Sequence, residues 1–445
     1  MTSAVSPPEV VAISAPAVKL QRAGGFPLAL MGLYLFLHGA PMSEILLRYT
    51  GLNLRPTIIT GLLLGVGAVF SGQLLRFWEL KVGKVWGILL VIYVLAAVFG
   101  DHRGASIPFI AEYGIRFHAI PFLICATAFS IQHVRRVLYW SSGATFVLLA
   151  LCLKDGGMDE TGRFFIPGTT LSNPNDLALS LLLGGTYLLL LAYGSWYSRL
   201  VALVAMLLIL YFVLQTGSRA NFLTGMVVLG VFIWSVPPRV KLAFAVALPV
   251  LAIAMAMLVP SPTWKRLTLI VMNPGVEINR NPDAVHEIGS QFARQQLQER
   301  AVALTLRNPL LGVGPQMFEV GVEEMIQAEE KVKSGWQAAH NVYLQIAAEN
   351  GVPAFFVFVW VVFWCLRTNY RTFRASLKSP QMKPYQEVSL CLLLFAVTYS
   401  FGILFSNFLY DPALPILLGL TAATRMAFEQ EKPAAALRPA GGIVR

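Results

Sequence analysis

Charge is scarce in this sequence: Asp, Glu, Lys and Arg make up 13% of residues, against 56% that are hydrophobic. Soluble domains carry about a quarter charged residues, so composition excludes a water-soluble globular fold. Cysteine is scarce too. The four present, Cys125, Cys152, Cys365 and Cys391, fall in or beside apolar runs, which argues against a disulfide framework and marks them as small core residues. Metal-ligand spacing is missing. There is no His-x-x-x-His or Cys-x-x-Cys, and Asp155, Asp159, Glu160, Glu277 and Asp283 form no ligand pattern, so we expect no metal and no cofactor. No solenoid repeat is found. A cleavable signal peptide is also missing: residues 1–20 are interrupted by Pro7, Pro8 and Pro16 and precede an apolar run of full membrane length, which is expected to act as the insertion signal.

Long apolar runs are abundant. Crossing about 30 Å of hydrocarbon takes roughly 17 to 25 apolar residues. Such runs lie near 26–45, 55–75, 84–100, 113–130, 136–153, 175–194, 198–215, 220–236, 239–259, 341–366, 387–407 and 411–427. They predict an all-α polytopic membrane protein with about twelve transmembrane helices. The chain then divides into a disordered tail (1–25), nine spans (26–259), a helical loop (260–340), three spans (341–427) and a second disordered tail (428–445). Basic residues gather in alternate segments: Lys19 and Arg22; Arg76, Lys81 and Lys84; Arg135 and Arg136; Arg199; Arg239 and Lys241; Arg367 to Lys383; and Arg425 onward. These segments share one face, so that face and both termini are expected in the cytoplasm, with 260–340 on the far side. Orientation also accounts for the net charge of +11 without any nucleic-acid partner.

A structureless connection of roughly eighty residues is unusual, so the large loop should fold. Residues 284–307 place Phe292, Leu297, Ala301 and Leu304 at three- and four-residue steps without proline, the pattern of an amphipathic helix. Asn308-Pro309 ends it. Leu310-Leu311-Gly312-Val313-Gly314-Pro315 reads as a tight turn, not a nucleotide loop, because its Gly-x-Gly follows no strand. Residues 316–333 read as a second, more acidic helix.

Several ionisable residues stand out from this framework. Arg219, in Gly217-Ser218-Arg219, sits at the outer junction of two spans. It is either an arginine snorkelling to the interface or a fixed cation for an anionic ligand, helped by helix N-terminal amides. Arg294 and Arg300 share the loop helix and could be its solvated face. Arg163 and the run Ser172-Asn173-Pro174-Asn175-Asp176 suit turn and cap chemistry equally well. His340 closes the loop just before Asn341-Val342-Tyr343-Leu344 opens an apolar run. A neutral imidazole there is suited to taking a proton from a hydroxyl, with external arginines available as partners.

The order Arg294, Asn308-Pro309-Leu310-Leu311-Gly312-Val313-Gly314-Pro315-Gln316-Met317-Phe318, His340-Asn341-x-x-Leu344 and Glu349-Asn350-Gly351-Val352-Pro353 resembles the O-antigen ligase and polymerase superfamily. Gly217-Ser218-Arg219 and Asn173 to Asp176 look like its other landmarks. One departure is Gln298, where family members often carry Trp four residues after the loop arginine. The resemblance implies a class C glycosyltransferase-like fold in the bacterial inner membrane, with the active site facing the periplasm. It implies that a glycan passes from an undecaprenyl-diphosphate-linked donor to a hydroxyl of an acceptor, with inversion. In the ligase case that acceptor is the lipid A-core oligosaccharide. On this resemblance His340 is the general base, Arg219 and Arg294 hold the diphosphate, and Asp411 answers to the family's acidic residue near the last external turn. Arg300, Arg163, Asn173, Asn175, Asn341 and Asp411 are the expected substrate-binding set.

Besides the lipid-linked donor, the acceptor and membrane lipids, the sequence calls for no partner. The motifs do not separate a ligase from an O-antigen polymerase or a protein O-oligosaccharyltransferase. A polysaccharide transporter or flippase would carry its charges at midplane in repeated halves, whereas this chain places them at the external boundary.

Overall fold

The computed structural model describes residues 25–258, 282–330 and 338–436. The expected N-terminal tail, the first part of the large loop with Glu277, and the end of the C-terminal tail lie outside the described residues. The helices in chain order are α1 (Gly25–Gly39), α2 (Met42–Thr50), α3 (Pro56–Phe70), α4 (Lys81–Phe99), α5 (Arg103–Tyr113), α6 (Ile120–Thr127), α7 (Ile131–Asp155), α8 (Pro174–Ala192), α9 (Trp196–Gln215), α10 (Arg219–Ser235), α11 (Pro238–Leu258), α12 (Pro282–Arg307), α13 (Phe318–Glu330), α14 (Val342–Ser376), α15 (Lys383–Gly402) and α16 (Ala413–Ala436). Between α7 and α8 a two-residue hairpin pairs β1 (Gly157–Met158) with β2 (Phe164–Phe165).

The architecture is an all-α membrane bundle. Among the described residues seven helices are long and apolar enough to cross a bilayer, and eight if the α1–α2 pair is one span; α3 and α10 are shorter apolar helices. Each of the twelve apolar runs coincides with a helix, and the departures have local causes. The first run breaks by 74° between α1 and α2, at Ala40-Pro41, because the residue before proline is pushed out of helical conformation. The fourth run is the second half of a longer bent helix, Arg103–Thr127, in which Pro108 and a π-turn at Gly114–His118 interrupt the hydrogen-bond ladder.

The expectation of a disordered tail from 428 needs correction. Helix α16 runs on to Ala436, because Phe428 is buried edge-on against Tyr385 with centroids 5.4 Å apart, and Arg425 pairs with Glu429 at 2.8 Å one turn on. The loop forms its two helices close to the expected bounds. Leu297, Ala301 and Leu304 of α12 bury against Val313, Phe318, Val322 and Ala348, so the loop has its own small core seated on α14. All four cysteines are buried and free.

One end of the bundle gathers the ends of α4 and α15 and the starts of α5, α8, α10, α14 and α16. Val342 N–H donates to Ile403 O at 2.9 Å, Gly402 lies against Leu179, Gly100 lies against Gly314, and Ser218 bonds Asn175. At the opposite end Arg135 pairs with Glu387 at 3.0 Å, and Arg76 is buried against the carbonyls of Cys125 and Ala128.

Candidate active site

The site is organised by a break in α14. Gly351 adopts φ +83°, outside helical space, a conformation glycine reaches without the penalty a Cβ would bring. The break frees backbone groups that must find partners elsewhere. The loop supplies them: Val313 N–H donates to Ala348 O at 3.0 Å, Gly314 N–H to Glu349 O at 2.9 Å, and Val352 N–H to Pro309 O at 2.8 Å. Gly312, at φ +65°, passes so close that an added Cβ would lie 2.3 Å from Glu349 C. The Asn308-to-Phe318 turn is therefore a plug fitted to the broken helix.

Glu349 fastens this plug from within. Its carboxylate, 1% exposed, accepts from Gln316 N–H at 2.9 Å, Phe318 N–H at 3.3 Å, Gln345 Nε2 at 2.9 Å and Tyr410 O–H at 2.6 Å. Tyr410 also accepts from Asn350 Nδ2 at 3.0 Å and packs edge-on against Phe109 and Tyr113. One carboxylate thus joins the loop, the start of α14 and the short turn Phe408–Tyr410 that leads to Asp411.

His340 stands just before α14 at φ +48°, a left-handed conformation that is costly for a residue with a Cβ and persists only when its surroundings hold it. Its N–H donates to Asn407 Oδ1 at 2.9 Å, and the next residue, Asn341, caps α14 by accepting from Tyr343 and Leu344 N–H. The half-buried ring keeps Nδ1 buried without a hydrogen-bond partner among the described residues. Burial, and then the positive charge of Arg294, push the imidazole down to about 4. Arg294 of α12 is thus near enough to the ring to act on it electrostatically. The ring is therefore neutral near pH 7 and able to accept a proton.

A second polar group lies where α8 and α10 begin. Asn173 caps α8, accepting from Asn175 N–H at 2.9 Å. Asn175, 6% exposed, accepts on its side-chain oxygen from Arg163 Nη2 and Ser218 Oγ, both at 2.8 Å, and on its backbone oxygen from Asn221 Nδ2. Arg163 Nε donates to Thr216 O at 2.9 Å, which ties the hairpin to the turn before α10. Ser218 caps α10, placing Arg219, half-buried, in its first turn. Beside this group the carboxylates of Asp176 and Asp411 lie close enough to interact electrostatically. Asp411 accepts from Ala413 N–H at 2.8 Å, and its burial pushes the carboxyl up to about 6.

The expected residues thus fall into two groups on one face. Arg294, His340 and Asn341 form one, with Asp411 joined to it through Asn407–Tyr410. Arg163, Asn173, Asn175 and Arg219 form the other, linked to the first by the approach of Asp176 and Asp411. Arg300 stays on α12, half-buried at the edge of its packed face. The side-chain oxygens of Asn173 and Asn341 are spent on helix caps, so the cap chemistry weighed from sequence is present at both.

Asn407, Glu349, Tyr410 and Ser218 were not singled out in the sequence as site residues. A signal existed for Glu349, since an ionisable residue inside an apolar helix is a functional candidate by default. Among the described residues, no three His, Cys, Asp or Glu side chains gather as a metal set.

No curated protein matches this chain. A family model described as O-antigen ligase matches residues 204–359, a segment that contains Arg219, Arg294, the Asn308-to-Phe318 plug, His340 and the Gly351 break, so over this stretch the chain is similar to that family.

Proposed function

We propose that this protein is an O-antigen ligase: a metal-independent inverting glycosyltransferase that moves a glycan from undecaprenyl diphosphate to a hydroxyl of lipid A-core oligosaccharide at the periplasmic face of the inner membrane. The observation that carries the reading is a neutral, half-buried imidazole, His340, within electrostatic reach of a guanidinium, Arg294. Glycosyl transfer from a diphosphate needs these two functions together. The acceptor O–H loses its proton to His340 as its oxygen bonds the anomeric carbon, and the glycosyl C–O bond breaks with its electron pair leaving on the diphosphate. Arginine stays charged at any working pH and meets phosphate oxygens with a bidentate fork, so Arg294 and Arg219 would offset the departing charge without a metal. An anionic donor beside Arg294 also cancels the field that depresses His340, making the base stronger when substrate is bound.

The orientation rests on the distribution of basic residues. Arg76, Arg135, Lys383 and Arg425 fall at the bundle end opposite the site, as the positive-inside rule requires of a periplasmic active site. The test is transfer by the purified protein from a defined undecaprenyl-diphosphate-linked glycan to lipid A-core oligosaccharide, without an energy source and with EDTA present. Transfer that His340→Ala abolishes while remaining folded supports the reading. Full activity of that variant removes the general base, and loss of activity in EDTA restored by a divalent ion removes the metal-free mechanism. Elongation of the lipid-linked glycan without capping of lipid A-core would assign polymerase activity instead.

A further inference from the structure

A groove of about 580 Å³ runs between α3 and the Gly114–Leu123 stretch. It follows α3 from Thr57 to Phe70, a rise of about 20 Å at 1.5 Å per residue. Most of its wall is apolar, and Gly61 and Gly65 lower the wall where side chains would otherwise fill it. A Cβ added at Gly65 meets nothing within 4 Å.

One end of the groove is polar. Thr57, His38 and Arg116 line it, and Thr57 Oγ1, His38 Nε2 and Arg116 Nε are each buried without a hydrogen-bond partner among the described residues. Thr57 is 8% exposed. Burying such atoms unpaired costs on the order of 1–3 kcal/mol each, so three at one end of an apolar groove point to a ligand with a polar head. The local charge identifies the sign of that head. Arg116 Nη1 lies 2.6 Å from Glu112 Oε1 and Arg55 Nη1 lies 4.0 Å from the same oxygen, so two cations share one carboxylate and one positive charge is left over. The Arg116 backbone is held in place by Tyr34, whose hydroxyl donates to its carbonyl at 3.0 Å.

We propose that this groove binds an anionic phospholipid of the surrounding bilayer, with one acyl chain along α3 and the phosphodiester against Arg116, His38 and Thr57. A phosphodiester carries the single negative charge that matches the excess, and its oxygens accept from the Arg116 N–H that has no protein acceptor. The diphosphate of a glycan donor is not the occupant. None of α1, α3 or α6 packs substantially against α10 or α12, the helices that carry Arg219 and Arg294, so a donor held at those arginines has its head elsewhere. The bound lipid fills the groove between α3 and the bent α5–α6 segment.

Native mass spectrometry of the full-length protein in mild detergent tests this, with added phosphatidylglycerol, phosphatidylcholine or undecaprenyl diphosphate as probes. The expected result is one tightly held phosphatidylglycerol per chain, with phosphatidylcholine, whose choline cation offsets the charge of its own phosphodiester, retained about tenfold less. Arg116→Gln should bring the two phospholipids to the same weak level. Gly65→Leu should fill the groove and remove the bound lipid while leaving the thermal midpoint of the lipid-free protein unchanged, which separates lipid loss from misfolding. Wild-type retention of phosphatidylglycerol by both variants, or equal retention of the two phospholipids by the wild type, overturns the proposal. Displacement of phosphatidylglycerol by undecaprenyl diphosphate, blocked by Gly65→Leu, also overturns it and gives the groove to the donor's tail.

Discussion

His340 is held by its backbone and tuned by its surroundings. Because its value in the folded protein, about 4, lies below that of a free histidine, the ring is neutral and competent above that pH and is lost as a base when pH falls through it. The acid limb of kcat/KM, which reports the free enzyme, should therefore fall near pH 4. Arg294→Gln removes the second cause of the depression, so its acid limb should move upward while kcat drops by about 10²–10³-fold. A pH series on both proteins checks this, and identical limbs would show that Arg294 does not act on the ring. Glu349 gives a different kind of prediction. Glutamine offers one acceptor oxygen where the carboxylate serves donors on both of its oxygens, so Glu349→Gln should cost about 1–3 kcal/mol, read as a lower unfolding midpoint in detergent. An unchanged midpoint would mean that the carboxylate is not the fastener described here.

At this scale the sequence was partly legible. His340 was visible because it closes the one large loop, and Arg219 because it breaks an apolar pattern. The partner that holds His340, Asn407, lies 67 positions away, and no local pattern links them. Asn173, Asn175 and Arg163 were visible as turn or cap residues, but their joining with Ser218 into one cluster required the packing of α8 against α10.

Among the elements, the helices were readable because twelve apolar runs can satisfy their backbone groups inside a bilayer only as helices. Their interruptions were not. Pro41 marks a bend, yet its size depends on where α2 finds contacts, as when Glu44 accepts from Thr170 N–H at 2.9 Å. The break at Gly351 needs the plug, because the carbonyls of Ala348 and Glu349 are satisfied by Val313 and Gly314, far earlier in the chain. A glycine-rich turn and an interrupted helix are each visible alone, but their fit to one another is a three-dimensional accounting of donors and acceptors. That fit makes Gly312 sensitive. Gly312→Ala places a Cβ against the α14 backbone in a left-handed conformation that alone costs on the order of 1 kcal/mol. The variant should unfold at a lower temperature and lose transfer activity, since displacing the plug shifts α14 and His340 with it. Alanine at Gly157, which has open space and ordinary φ, should leave both unchanged. Equal behaviour of the two variants would show that the plug is not tightly fitted.

For the molecule as a whole, function depends on which side of the membrane the site faces. The two bundle ends differ in charge: one carries the hairpin, the loop helices and His340, the other Arg135, Lys378 and Lys383. Translocating basic residues is unfavourable, so the second end should be cytoplasmic. The protein itself offers a clean test because its four cysteines are all buried and should react slowly with a charged thiol reagent. Glu160, at the hairpin tip, and Lys378, between α14 and α15, are both exposed and lie at opposite ends. In intact cells whose outer membrane admits the reagent, Glu160→Cys should be labelled by a membrane-impermeant maleimide and Lys378→Cys only after lysis. The reverse pattern would put His340 in the cytoplasm, where lipid A-core and a periplasmic glycan donor could not meet it, and would end the ligase reading whatever the chemistry of the site.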